Sequence, residues 1–126
     1  MKSKLSVLEG SFTIHRFPPN YEIPIRLFEG LFCNITRSED EVSVICSSAV
    51  ELDSLSADPG WSCIKVIGPL DLTLTGLLAD ILNVLAKVEI SIISISTFDT
   101  DYIFVKSTKI HAAIDALLQA EYIFKQ

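Results

Sequence analysis

Two stretches of the chain gather side chains suited to holding a small charged ligand. Gly68-Pro69-Leu70-Asp71-Leu72-Thr73-Leu74-Thr75-Gly76 leads into a leucine-rich run, and Phe98-Asp99-Thr100-Asp101 follows a run rich in isoleucine. The first N–H groups of a helix have no partner inside it, so a loop opening directly into a helix can present donors to a carboxylate. Gly68 and Gly76 let the backbone approach a ligand with no Cβ in the way. Asp99 and Asp101 supply the acceptors a cation needs, and Phe98 beside them can cover an apolar part. A charge-assisted contact contributes roughly 1.5–3 kcal/mol net, so two acidic groups near one pocket favour a cationic end.

Each of these residues also has a purely structural reading. Asp71, Thr73 or Thr75 can cap the helix. Asp99 and Asp101 are ordinary turn formers, and Phe98 can belong to a core. Gly76 inside a helix costs about 1 kcal/mol relative to alanine, which points to close packing or to ligand approach.

Covalent and metal chemistry find little support. Cys33, Cys46 and Cys63 are widely spaced and odd in number, with no CxxC pair, and read as small buried side chains rather than a disulfide framework or metal site. His15 and His111 are far apart, lack a spacing that would pair them with a carboxylate, and read as surface or edge residues. There is no nucleophile–base arrangement and no phosphate loop of the GxxxxGK[ST] kind, so no catalytic residue, metal or cofactor is expected.

Composition narrows the partners. The chain has 126 residues, 49% of them apolar and 21% charged, with a net charge of −6. Mean hydropathy is +0.43 and the sequence pI is about 4.7. That is enough apolar material for one compact unit or two very small subdomains sharing a core. The acidic balance, without a Lys/Arg cluster, disfavours nucleic acid. The apolar runs fall far short of a membrane span. Met1-Lys2-Ser3-Lys4-Leu5 is followed by Ser6, Glu9 and Ser11 rather than by a long apolar stretch, so no secretory signal is read there and the cytoplasm is the expected compartment. The apolar excess hints at surface buried against a partner.

Periodicity supplies the elements that must position these residues. Leu5 to Phe17 alternates apolar and polar residues and slips register near Gly10, which predicts a strand or two short ones with a bulge at the glycine. Pro18-Pro19-Asn20 ends it, and Ile23 to Phe28 is too short and proline-interrupted for a full helix. Leu31–Thr36 and Glu41–Ser47 flank the polar turn Arg37-Ser38-Glu39-Asp40 and predict a hairpin with Val42, Val44 and Cys46 on its apolar face. The polar, breaker-rich stretch Glu51 to Gly60 reads as a subdomain boundary. Trp61 to Ile67 predicts a strand. Leu74, Leu77, Leu78, Ile81, Leu82 and Leu85 recur at steps of three and four, predicting a helix from about Thr73 to Val88. Ile90 to Ile95 reads as a strand buried on both faces or nearly so, Tyr102 to Val105 as its return, and Lys109 to Tyr122 as a last helix striped by Ile110, Ile114, Leu117 and Leu118. Tyr122-Ile123-Phe124 can supply a final strand. The second half thus reads strand, helix, strand, strand, helix, and the first half looks like a degenerate copy of that plan.

With Gly68 to Gly76 followed by Ser96-Thr97-Phe98-Asp99-Thr100-Asp101-Tyr102, the chain resembles the small bacterial tandem ACT-domain proteins (the ACT_7 and Castor-like amino-acid-binding family). The match is good over roughly Ile64 to Val105 and follows element order elsewhere. The resemblance implies an α+β fold of two ferredoxin-like ACT subdomains of the βαββαβ type, residues 1–60 (degenerate) and 61–126, with an antiparallel sheet and helices on one face. It implies a non-enzymatic amino-acid-binding regulatory protein, often a homodimer, with the ligand at the interface between ACT units. Carried over by position, the ligand-binding residues are Asp71, Leu72, Thr73, Thr75 and Gly76 at the helix start and Thr97, Phe98 and Asp101 at the turn. Asp99 joins them as the second acid of that turn, and a basic amino acid becomes the expected ligand. The alternative is an interaction module that uses the same fold for pairing alone. The sequence departs from the family plan in its first half, where the first helix is almost missing.

Overall fold

A computed structural model describes residues 3–68 and 76–125. The chain divides into two compact units: Gly10–Trp61 forms one, and Met1–Glu9 with Ser62–Gln126 forms the other. The opening strand β1 (Lys4–Val7) therefore belongs with the C-terminal residues, whereas sequence order grouped it with the first half. The change of unit falls at Gly10, which sits at φ +88° and lets the chain turn out of β1 before β2 (Phe12–Phe17) begins.

The Gly10–Trp61 unit contains β2, a single 3-10 turn at Ile25–Glu29, the hairpin β3 (Cys33–Arg37) and β4 (Val42–Ser47), and the first part of β5 (Ser56–Val66). The strands lie in the order β3-β4-β2-β5, antiparallel throughout. That is the strand order of a βαββαβ unit, with a 3-10 turn where the first helix would stand. The run Ile25–Glu29, ended by Gly30, is too short to sustain more than one turn. Phe17, Leu27, Val42, Val44 and Cys46 form the core on one face, so the alternation in β4 reports its buried side faithfully.

The breaker-rich stretch behaves differently from expectation. Ser56 to Gly60 is part of β5 rather than a linker, and Asp58, Pro59 and Gly60 lie inside the strand. The pairing with β2 shifts by one residue here, from Phe12↔Trp61 to Ile14↔Asp58, and Gly60 adopts φ +82°. A bulge accommodates a proline that cannot donate to the ladder and uses a glycine in the left-handed region.

The second unit is a complete βαββαβ element: the second part of β5, α1 (Leu77–Lys87), β6 (Ile92–Ser96), β7 (Asp101–Lys106), α2 (Ile110–Gln119) and β8 (Ile123–Lys125). Its strands run β8-β1-β5-β7-β6, so β1 is inserted between β5 and β8. The β1–β8 pair is parallel, which makes the sheet mixed rather than purely antiparallel. Leu5, Ile64, Val66, Ile103 and Val105 face Ile81, Leu85, Ala113 and Leu117, which places both helices on one face. Truncating a fully buried leucine such as Leu85 to alanine costs about 2–5 kcal/mol in cores of this kind.

Three expectations are revised by this packing. Helix α1 starts at Leu77, because Gly76 takes φ +86°, which no α-helical residue adopts. Strand β6 lies at a sheet edge and is half-buried at best, since among the described residues it pairs with β7 alone. In α2 the buried seam is Ala113 and Leu117, while Leu118 is largely exposed.

Candidate functional site

Strand β5 ends at Val66, and Ile67 and Gly68 begin the loop toward α1. Strand β7 neighbours β5, and the turn that precedes β7 meets the end of β5 directly. The hydroxyl of Thr100 is buried and donates to the main-chain carbonyl of Val66. The β6–β7 turn and the strand leading into the loop are thus tied at one end of the second unit.

The turn closes on itself. The Thr97 amide donates to the Thr100 carbonyl at 2.8 Å, the Thr97 hydroxyl donates to the same carbonyl at 3.1 Å, and the Thr100 amide returns to the Thr97 hydroxyl at 3.2 Å. At the mouth of the hairpin the Ser96 hydroxyl donates to the Asp101 carboxylate. Ser96 and Asp101 are cross-strand partners, so the pleat puts both side chains on one face. Asp99 is exposed, and Phe98 is 81% exposed, so it is no part of the core.

Gly76 lies immediately before α1 in the left-handed region, and among the described residues a Cβ built on it would meet nothing within 4 Å. Its glycine identity follows from its backbone conformation. The Gly76 carbonyl already accepts from the Asp80 amide as the first helical bond. Asp80 also accepts a hydrogen bond from the Tyr122 hydroxyl, which braces α1 against the residue preceding β8. Burial and this contact with Asp80 push the Tyr122 hydroxyl pKa above its ordinary value of 10.0.

Of the expected ligand-binding residues, Thr97, Phe98, Asp99 and Asp101 occupy the one turn, and Gly76 precedes the helix. Asp71, Leu72, Thr73 and Thr75 lie outside the described residues. Thr97 and Asp101 each spend polar contacts on the turn itself. Thr100 was not singled out in the sequence; its placement between two aspartates signals a turn, but its burial depends on β7 lying beside β5.

The histidines separate. His111 is exposed, whereas His15 is only 6% exposed, contrary to a surface placement. It stacks on Phe17, and its Nδ1 lies 2.9 Å from the Ser54 hydroxyl. Burial lowers its pKa below the ordinary 6.5. The cysteines are all free, with Cys63 pushed by burial to about 12 and Cys46 also raised by burial. The Cys46 and Cys63 thiols are buried and protonated rather than activated. Among the described residues no cluster of three or more His, Cys, Asp or Glu could hold a metal ion, and no helix is long and apolar enough to cross a membrane.

A βαββαβ unit with both helices on one face of the sheet defines a small α+β fold. The ACT domain profile matches residues 56–119, and the chain belongs to the ACT domain family (ACT_7). Among solved structures, protein Atu0741 from Agobacterium tumefaciens is 34% identical, with 99% of this chain and 93% of that chain covered and a TM-score of 0.90. The ligand-free regulatory subunit of aspartate kinase from Thermus thermophilus shares the fold at 12% identity, covering 90% of this chain and 96% of that chain, with a TM-score of 0.62. E. coli aspartokinase III in complex with aspartate and ADP shares it at 14% identity, covering 90% of this chain and 32% of that one, with a TM-score of 0.59. No curated protein matches the sequence.

Proposed function

We propose that this protein is a non-enzymatic amino-acid sensor whose ligand binds at the loop between β5 and α1 and at the β6–β7 turn. The observation that supports the reading most directly is the Thr100–Val66 hydrogen bond, which holds the turn against the strand that feeds the loop. The binding set is Asp71, Leu72, Thr73, Thr75 and Gly76 from the sequence leading into α1, with Thr97, Phe98, Asp99 and Asp101 from the turn. Amides near the start of α1 receive the ligand carboxylate. Exposed Asp99 receives its cationic end, and Phe98 covers the aliphatic part. A ligand that bridges two copies in a homodimer stabilises the dimer by population shift. The aspartokinase III structure contains aspartate, which makes an amino acid a reasonable class of ligand for this fold.

A second reading treats the fold as a pairing module with no ligand. It is favoured by the local hydrogen bonds that already engage Thr97 and Asp101. A thermal-shift screen of the whole protein against the twenty amino acids separates the two. A ligand at 100 times its dissociation constant adds about 2.7 kcal/mol to stability. Stabilisation by one amino acid, abolished in Asp99→Asn, supports the sensor. Absence of any shift across the set leaves only the pairing module.

A further inference from the structure

We propose a second ligand site, separate from the one above, on the sheet of the Gly10–Trp61 unit, built to take a small amino acid with a cationic side chain. A concavity of about 300 Å³ opens there, lined by Ile14, His15 and Arg16 of β2, Ser56, Ala57 and Asp58 of β5, and Glu41 and Ser43. Its volume is that of a small-molecule site.

Register fixes the arrangement. Arg16 is paired with Ser43 on β4 and with Ser56 on β5, so the three side chains form one row on one face. Neighbours in such a row stand about 5 Å apart. Ile14 is paired with Asp58, one two-residue step away along β2. Glu41 stands two residues before Ser43 and is displaced in the opposite direction, because both neighbours run antiparallel to β2. Arg16 is thus central in the row, with a serine on either side and an acidic residue at each of two opposite corners. His15 also borders the concavity, but its ring packs against Phe17 and Ser54, and the proposed contacts do not use it.

This pattern matches one chemistry. The central guanidinium and its two hydroxyls receive a carboxylate. The two acids receive two cations at opposite ends of the ligand, and Ile14 offers apolar surface to the carbon chain between them. A carboxylate has several acceptor positions, so Asp58 can take a ligand cation while keeping the contacts it makes within the protein. Two acids against one arginine leave the site net negative, which a ligand with two cations and one anion neutralises. A simple anion or a neutral amino acid leaves one corner unmatched.

The test is a ¹⁵N–¹H NMR titration of the full chain with L-lysine, L-norleucine and cadaverine. L-Norleucine lacks the terminal cation, and cadaverine lacks the carboxylate. L-Lysine is expected to shift the amides of Ile14, Arg16, Ser43, Ser56 and Asp58, with each analogue about tenfold weaker or worse. Arg16→Met, an exposed position, should make L-lysine no better than cadaverine, and Glu41→Gln should reduce the advantage over L-norleucine. Unmoved amides at these positions, or equal shifts with all three compounds, overturn the site. Shifts confined to residues 97–101 support the sensor reading and remove this one; shifts confined to the β2 row do the reverse.

Discussion

The Thr100 hydroxyl donates to the carbonyl of Val66, joining the first residue beyond the β6–β7 turn tip to the last residue of β5 across 34 positions of sequence. Both groups are buried, so neither has water as a substitute. Thr100→Val keeps the shape and removes the donor, leaving the carbonyl short of a partner. A loss of about 1–3 kcal/mol is expected in urea unfolding, against a smaller loss in Thr100→Ser. Equal stability of Thr100→Val and the parent protein would show that the bond contributes nothing net.

Gly76 tests the start of α1 in a different way. A Cβ there meets no atom of the described residues, so Gly76→Ala reports the strain of the left-handed backbone. A non-glycine residue in the left-handed region costs about 1–2 kcal/mol, and asparagine tolerates it better. Thermal unfolding should therefore rank Gly, then Asn, then Ala. An alanine variant as stable as the parent would mean that the segment readily takes another conformation.

Tyr122 and Asp80 give a pH signature. The raised pKa of Tyr122 means that the folded state favours the neutral phenol. Its contribution is present below the ordinary pKa of 10.0 and is lost as pH rises through the higher folded value. In an absorbance titration at alkaline pH, one of the three tyrosines should ionise last, and Tyr122→Phe should delete that step. Three tyrosines titrating together in the folded protein would contradict it.

His15 gives the opposite dependence. Burial lowers its pKa, so below about pH 6.5 the unfolded chain binds a proton that the folded chain resists. Stability contributed by the neutral ring is therefore present above that pH and declines as pH falls toward the lower folded value. His15→Gln should flatten the stability profile on the acid side of pH 6.5. An identical slope in both proteins would place the acid sensitivity in the carboxylates.

Much of the architecture was written locally. The Val42-Val44-Cys46 alternation, the polar turn after Arg37, the step pattern through Ile81 and Leu85, and the register slip at Gly10 each mark an element that the fold contains. Such signals are legible because burial on one face of a strand or helix imposes its own period on the residues that pass through it. What failed locally had a non-local cause. Asp58-Pro59-Gly60 carries the composition of a linker, yet pairing with β2 makes it a bulged strand. Ile90 to Ile95 carries the composition of a central strand, yet its place beyond β7 makes it an edge.

The sequence by itself determined the βαββαβ order of the second half, the near-absence of a helix in the first, and the acidic turn that follows β6. Only tertiary structure decided that Lys4–Val7 enters between β5 and β8, that His15 is enclosed, and that Arg16 stands between Ser43 and Ser56 with acids at opposite corners. The physical reason is the same in each case. Periodicity reports which side of an element is buried, but which strands become neighbours depends on pairing between residues distant in the chain, and no local pattern encodes the partner.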